Sequence, residues 1–130
     1  MKVRAALLDT SVLVAHLRNE LDIASWNTGD SLWYVSVISE GELMRGVYRS
    51  RNVAMNEERV RELLEDCTLL SVSSDTAKQF GRIASDLDTK GAAIPHNDTW
   101  IAAHALEYDL TLATRDAHFQ RVKTLQVLMW

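Results

Sequence analysis

The stretch Ala5-Ala6-Leu7-Leu8-Asp9-Thr10-Ser11-Val12-Leu13-Val14 decides how the chain is read. An apolar run ends in a carboxylate, two hydroxyl residues follow, and a second apolar run begins. A short run without polar alternation suits a strand buried on both faces. Ser11 is placed to cap the helix that follows. Asp9 then stands at the carboxyl end of a strand, where open α/β sheets bind their ligands. An acid at a strand–helix junction is also a common local cap. This stretch by itself leaves Asp9 between a structural and a chemical role.

Outward from it, residues 3–8 read as a first strand, 11–17 as a helix and 21–26 as a second, short one. Asn27-Thr28-Gly29-Asp30 is a turn signal. A second strand over 32–36 is rich in β-forming Trp33, Tyr34 and Val35. A helix follows over 37–48, although Gly41 and Gly46 weaken it on propensity. Glu42 shares a face there with Ile38 and Gly46, whose missing side chain would let the helix pack closely. Residues 56–67 form an amphipathic helix, with Val60, Leu63, Leu64 and Cys67 on one stripe and Glu57, Glu58, Arg61, Glu62 and Glu65 on a solvated one. A third strand spans 68–72. Ser74 or Asp75 caps a helix over 76–89 that turns Ala77, Phe80, Ile83, Ala84 and Leu87 inward and stops at Gly91. A helix over 97–107 and strands over 110–113 and 125–129 complete the chain. Strands alternating with helices predict an α/β fold: a central parallel β-sheet of about five strands flanked by helices on both faces. With no repeat and no linker, residues 1–130 read as one domain.

Composition sets outer limits. In 130 residues, 47% hydrophobic and 25% charged content is an ordinary globular mix, enough for a real core. No apolar run approaches the roughly 20 residues that span a bilayer, so no membrane partner is expected. The chain reaches a strand almost at once, which leaves no signal peptide, and the single Cys67 cannot form an internal disulfide. Both fit a cytoplasmic protein. A net charge of −4 argues against a passive nucleic-acid scaffold, yet suits an enzyme with a local basic rim around an acidic metal site. The absence of Gly-x-Ser-x-Gly, Gly-x-Gly-x-x-Gly and Walker loops argues against a serine hydrolase and a nucleotide cofactor.

The remaining acids then acquire meaning. Leu112-Ala113-Thr114-Arg115-Asp116 repeats the opening arrangement, an apolar strand running into a hydroxyl and an acid. Asp98 lies near a helix start in Pro95-His96-Asn97-Asp98, followed by small residues that draw the helix against the sheet. Glu42 comes from another helix; Glu40, two residues away, points elsewhere. Asp9, Glu42, Asp98 and Asp116 can therefore converge from four segments on one rim. Uncompensated, they repel one another. A divalent cation removes the problem, and hard oxygen ligands favour Mg²⁺ or Mn²⁺ over Zn²⁺. Such an ion orients water, lowers its pKa and stabilises charge on a phosphodiester, so the matching chemistry is phosphodiester hydrolysis. His16, His96, His104 and His118 show no metal-ligand spacing and read as structural, with His96 and His118 nearest the acids. Arg45 and Arg49 share a helix face that could hold RNA phosphates or simply be solvated.

Taken along its length, the pattern resembles the PIN-domain ribonucleases, and among them the VapC toxins of toxin–antitoxin systems. The resemblance is carried by Leu8-Asp9-Thr10-Ser11; by Ser36-Val37-Ile38-Ser39 with Glu42-Leu43 and Gly46-Val47; by Ile94-Pro95 with Asp98, Ile101-Ala102-Ala103 and Ala105; and by Leu112-Ala113-Thr114-Arg115-Asp116 with His118-Phe119 and Trp130. It implies a Mg²⁺-dependent endoribonuclease, with Mn²⁺ as substitute, in which Asp9, Glu42, Asp98 and Asp116 fall on the acidic positions. Ser11 and Thr114 fall on hydroxyl positions that help arrange the site. It also implies a homodimer, an RNA substrate, and a VapB-type antitoxin whose tail occupies the acidic cleft; DNA is reached only through that antitoxin. Single-stranded or looped RNA is the expected target, because A-form duplexes hide their bases. Two other readings compete: a catalytically silent PIN-like module that binds RNA or protein, and a phosphotransfer enzyme with Asp9 as nucleophile. The second lacks support, since Ser11 stands where a phosphatase of that kind needs another acid.

Overall fold

The computed structural model describes residues 2–130. Five parallel strands form one sheet in the order β3-β2-β1-β4-β5, where β1 is Val3–Leu8, β2 Asn27–Ser36, β3 Cys67–Leu70, β4 Leu112–Thr114 and β5 Val127–Met129. The helices are α1 (Thr10–Leu17), α2 (Val37–Tyr48), α3 (Val53–Glu65), α4 (Ser74–Thr89) and α5 (His96–Glu107), with 3-10 turns at Ile23–Trp26 and Ala117–Arg121. Among the described residues no helix is long and apolar enough to cross a membrane.

The central strand explains the opening stretch. Ala6, Leu7 and Leu8 are fully buried because both faces of β1 are covered. Leu7 faces a core built with α4 and α5, including Ile83, Leu87, Ile101, Leu112 and Phe119. Ala6 and Leu8 face the opposite core, with Val12, Leu13, Trp33, Val35, Leu43, Val47 and Val60 from α1, β2, α2 and α3. Ala102, Ala103 and Ala105 of α5 are at most 1% exposed, as their small side chains bring that helix onto the sheet. Chain order leaves β1 toward β2 and β3 on one side and toward β4 and β5 on the other. The crevice between β1 and β4 is thus the topological switch point, where such sheets bind ligands.

Several boundaries differ from the sequence reading, each for a local reason. Asp9, not Ser11, is the N-cap of α1; its side chain accepts from the Ser11 backbone N–H. The Asn27–Asp30 turn lies inside β2. The pairing with β1 jumps from Val3↔Asn27 to Ala5↔Leu32, and Gly29 at φ 95° absorbs the extra residues. Helix α3 starts earlier than expected, capped by Asn52, and Cys67 opens β3 instead of ending the helix. The Cys67 thiol is half-buried, donates to the Leu63 carbonyl at 3.5 Å, and is pushed up to about 11 by burial. Ser73 caps α4 in a reciprocal box with Thr76. The inward stripe runs through Phe80, Ile83, Ala84 and Leu87 as expected and begins at buried Thr76, while Ala77 is exposed. Gly46 is exposed, and a Cβ there would meet nothing within 4 Å, so it permits no close packing. Trp33 is buried as expected, and Trp26 stacks on Trp130 at 3.3 Å between ring centroids, closing the C-terminal end over the start of β2.

Phe119 is fully buried and anchors the turn after β4 to the core. Phe119→Ala is expected to cost about 3–5 kcal/mol of unfolding free energy, measured as a lower urea midpoint at unchanged slope.

Candidate active site: an acidic cluster at the switch point

Asp9 ends β1 and is 3% exposed. Its Oδ2 accepts from the Ser11 hydroxyl at 2.7 Å and the Thr114 hydroxyl at 2.8 Å. Each hydroxyl has one proton, and both are spent on Asp9, so the 3.3 Å between Ser11 Oγ and Thr114 Oγ1 is proximity without a shared proton. Their lone pairs are used as well. Ser11 Oγ accepts from the Arg115 backbone N–H at 3.0 Å, and Thr114 Oγ1 from that of Asp116 at 2.9 Å. The two hydroxyls therefore join the carboxyl ends of β1 and β4 across the crevice. Burial pushes the Asp9 carboxyl up, and the donated hydrogen bonds oppose that shift.

Glu42, half-buried on α2, is held by a second hydroxyl pair. Thr10 Oγ1 lies 2.7 Å from Glu42 Oε1 and 2.9 Å from Ser39 Oγ. Thr10 has one proton to give and the carboxylate is the stronger acceptor. Thr10 therefore donates to Glu42, and fully buried Ser39 donates to Thr10. Asp116 follows β4 and caps the turn after it, accepting from the His118 backbone N–H at 2.9 Å, while His118 Nδ1 lies 3.1 Å from Asp116 Oδ1. Asp98 sits in the first turn of α5, half-buried. One ligand atom each from Asp98, Asp116 and His118 falls within 4.8 Å of the others.

The electrostatics of Asp98 tie the cluster together. Its carboxyl is pushed from 3.8 up to about 6, first by burial and then by the charges of Asp9, Asp116 and Glu42, with His118 opposing. Asp9, Glu42 and Asp116 each lie near enough to Asp98 for their charge to act on it, but only Asp98, Asp116 and His118 bring ligand atoms within 4.8 Å of one another; Ser11 and Thr114 meet the cluster through Asp9. Thr10 and Ser39 carry no expected role in the sequence, although both belong to the quoted stretches. The one available signal was a hydroxyl next to Asp9 and another three residues before Glu42, on the same helical face. His118 joins the cluster, whereas His96 is exposed and packs edge-on against Phe80 at 5.8 Å. Arg45 and Arg49 are exposed near the end of α2, with no ion pair among the described residues. The exposed Arg115 guanidinium pairs instead with Glu20 at 3.1 Å.

Comparison with known proteins places this geometry. The PIN domain family profile matches residues 6–125. The chain belongs to the PIN-domain family. It is 32% identical over 127 residues to ribonuclease VapC2 of Haemophilus influenzae, covering 95% of this chain and 96% of that one. It is 29% identical over 129 residues to ribonuclease VapC1 of the same species, with 95% and 96% covered. Among solved structures, VapBC2 from Rickettsia felis bound to a DNA fragment from their promoter superposes with a TM-score of 0.89 at 25% identity, covering 97% and 98% of the two chains. VapBC-1 from nontypeable Haemophilus influenzae gives 0.87 at 28% identity, with the same coverage.

The elevated Asp98 carboxyl has a stability consequence. Between about 3.8 and 6 the folded chain holds a proton on Asp98 that the unfolded chain releases. Its contribution to stability is therefore present below that window and lost as pH rises through it. In EDTA, Asp98→Asn is expected to raise Tm more at pH 7.5 than at pH 4.5. Equal gains at both values, read by differential scanning calorimetry, would contradict the electrostatic account.

Proposed function

We propose that this chain is the toxin of a type II toxin–antitoxin pair, a Mg²⁺- or Mn²⁺-dependent endoribonuclease that hydrolyses RNA phosphodiester bonds. One observation carries the reading: half-buried Asp98 feels the charges of Asp9, Asp116 and Glu42 from three other segments, and these add to burial, the larger cause, in holding its carboxyl up to about 6. Hard oxygen donors in mutual repulsion fit a hard dication. Asp9, Glu42, Asp98 and Asp116 would hold it. When bound, it supplies a water of lowered pKa and neutralises charge developing on the phosphate.

The chain's own residues set the conditions for that chemistry. Ser11 and Thr114 fix the Asp9 carboxylate and oppose the upward push of burial, because both of their protons point at it. Thr10, itself held by Ser39, ties Glu42 of α2 to the residue that follows Asp9 and so fixes one acid relative to the other. His118 partners Asp116 at the open side, where an RNA strand would enter. Asp9→Asn keeps the side-chain volume and one acceptor oxygen but removes the charge. With purified protein, the wild type is expected to cut RNA in Mg²⁺ or Mn²⁺, and Asp9→Asn and EDTA each to abolish cutting without loss of folding by circular dichroism. Cutting that survives both would overturn the mechanism.

A VapB-type antitoxin is part of the same reading, supported by relatives solved as VapBC assemblies. So are contact with DNA through that antitoxin alone, a homodimer, and a cytoplasmic site of action, which rest on the family resemblance. A groove of about 410 Å³ runs between α1, α2 and α3, lined by Val14, Leu17, Leu43, Val47 and Val60 and floored by Gly46. Glu42 lines this groove too, so an apolar helix lying in it could lead a tail into the acidic cluster. Gly46→Trp fills the groove. It is expected to weaken capture of a VapB-type antitoxin, measured by co-purification, while RNA cutting persists.

A further inference from the structure

His104 is the one histidine with no access to solvent, and nothing in the proposed chemistry uses it. It lies on α5, six residues beyond Asp98, with both ring nitrogens engaged. Nε2 is 3.1 Å from the Ser71 carbonyl, just past β3, and Nδ1 is 2.9 Å from the Ser36 hydroxyl. A carbonyl oxygen only accepts, so Nε2 carries the hydrogen and Nδ1 presents its lone pair to Ser36. Ser36 in turn spends its single proton on Nδ1. Its oxygen accepts from the Ile38 N–H at 3.0 Å, which makes Ser36 the N-cap of α2.

This chain of bonds connects two helices that each deliver an acid. The cap fixed by His104 begins the turn that carries Ser39, and one turn later stands Glu42. The helix that carries His104 begins with Asp98 in its first turn. An apolar residue could fill the same space but would leave the Ser36 proton without this acceptor, and the start of α2 free to shift against α5. We propose that His104, through the Ser36 hydroxyl, sets the placement of Glu42 relative to Asp98 and is a positioning residue for the acidic cluster. The proposal rests on the nuclease reading above and adds a residue far from the reacting atoms to it.

The two nitrogens allow the positioning role to be separated from simple core packing. In His104→Asn the amide oxygen replaces the Nδ1 acceptor and keeps the bond to Ser36. In His104→Gln the longer amide replaces Nε2 and keeps the bond to Ser71. Both variants disturb the core and both are expected to lower Tm. If the Ser36 bond positions the cluster, His104→Gln weakens Mn²⁺ affinity about tenfold, the low end of the range for losing a direct outer partner of a metal ligand, since His104 acts on Glu42 only through the cap of α2. Calorimetric titration would read this on folded protein. His104→Asn stays within about threefold of wild type on the same scale, and RNA KM at saturating Mn²⁺ is unchanged in both. Equal losses in the two variants would overturn the positioning role. A second measurement needs no variant: long-range ¹H–¹⁵N NMR of the wild type should show hydrogen on Nε2, and hydrogen on Nδ1 would overturn the proposal even if neither variant folds. Wild-type protein that neither binds Mn²⁺ nor cuts RNA would remove the nuclease reading and this proposal together. Wild type that does both, while Asn and Gln behave alike, would remove only this proposal.

Discussion

The structure depends on a buried carboxylate shared by residues from the two ends of the chain. Asp9 is almost without solvent, and an unpaired charge there would cost several kcal/mol. Two hydroxyl donors offset part of that cost, each hydrogen bond to a charged group contributing roughly 1.5–3 kcal/mol. Ser11 is two residues away, but Thr114 is 105 residues away and reaches Asp9 only when β4 lies beside β1. The same carboxylate caps α1. One side chain thus specifies the start of a helix, the pairing of the two central strands and the floor of the crevice between them.

Around that floor the chain gathers further negative charge, against its own stability. Asp98 bears most of the conflict, since it is partly desolvated and faces three other acids. A fold selected only for stability would place a neutral residue there. Functional sites commonly hold such stored strain and depend on the surrounding scaffold to keep it. Here the scaffold is a sheet covered on both faces, with α5 drawn close by Ala102, Ala103 and Ala105 and α2 secured through Ser36. Hydroxyl groups do much of the local holding: Ser11 and Thr114 for Asp9, Thr10 and Ser39 for Glu42. Neutral donors are suited to this, because they fix a carboxylate without cancelling its charge.

The family likeness and the physical reading meet at this crevice. Relatives near 30% identity carry the name of ribonucleases, and solved VapBC assemblies share the fold across nearly the whole chain. Identity at that level leaves most surface positions free to vary. The acids, their hydroxyl partners and the apolar strand beneath them form a compact set whose members constrain one another.

Much of this was legible along the chain. Apolar runs without alternation mark β1 and β4 as buried strands, and helical periodicity marks α3 and α4, because burial imposes those patterns locally. Asp9 and Asp116 stand out because each follows a strand, and Asp98 because it opens a helix; Glu42, in the middle of α2, is marked only by the face it shares with Ile38 and Gly46. The boundaries that went astray, at Asn27–Asp30, Cys67 and Ser73, lie where a bulge or a cap outweighs propensity. What sequence alone determined is the alternation of elements and the kinds of side chain placed at their ends. Only the tertiary structure decided that Thr114 donates to Asp9, that Thr10 and Ser39 hold Glu42, that His118 joins Asp116 while His96 does not, and that His104 meets Ser36. Those are contacts between segments far apart in the chain. Their geometry follows from how the helices lie across the sheet, which no local window of residues encodes.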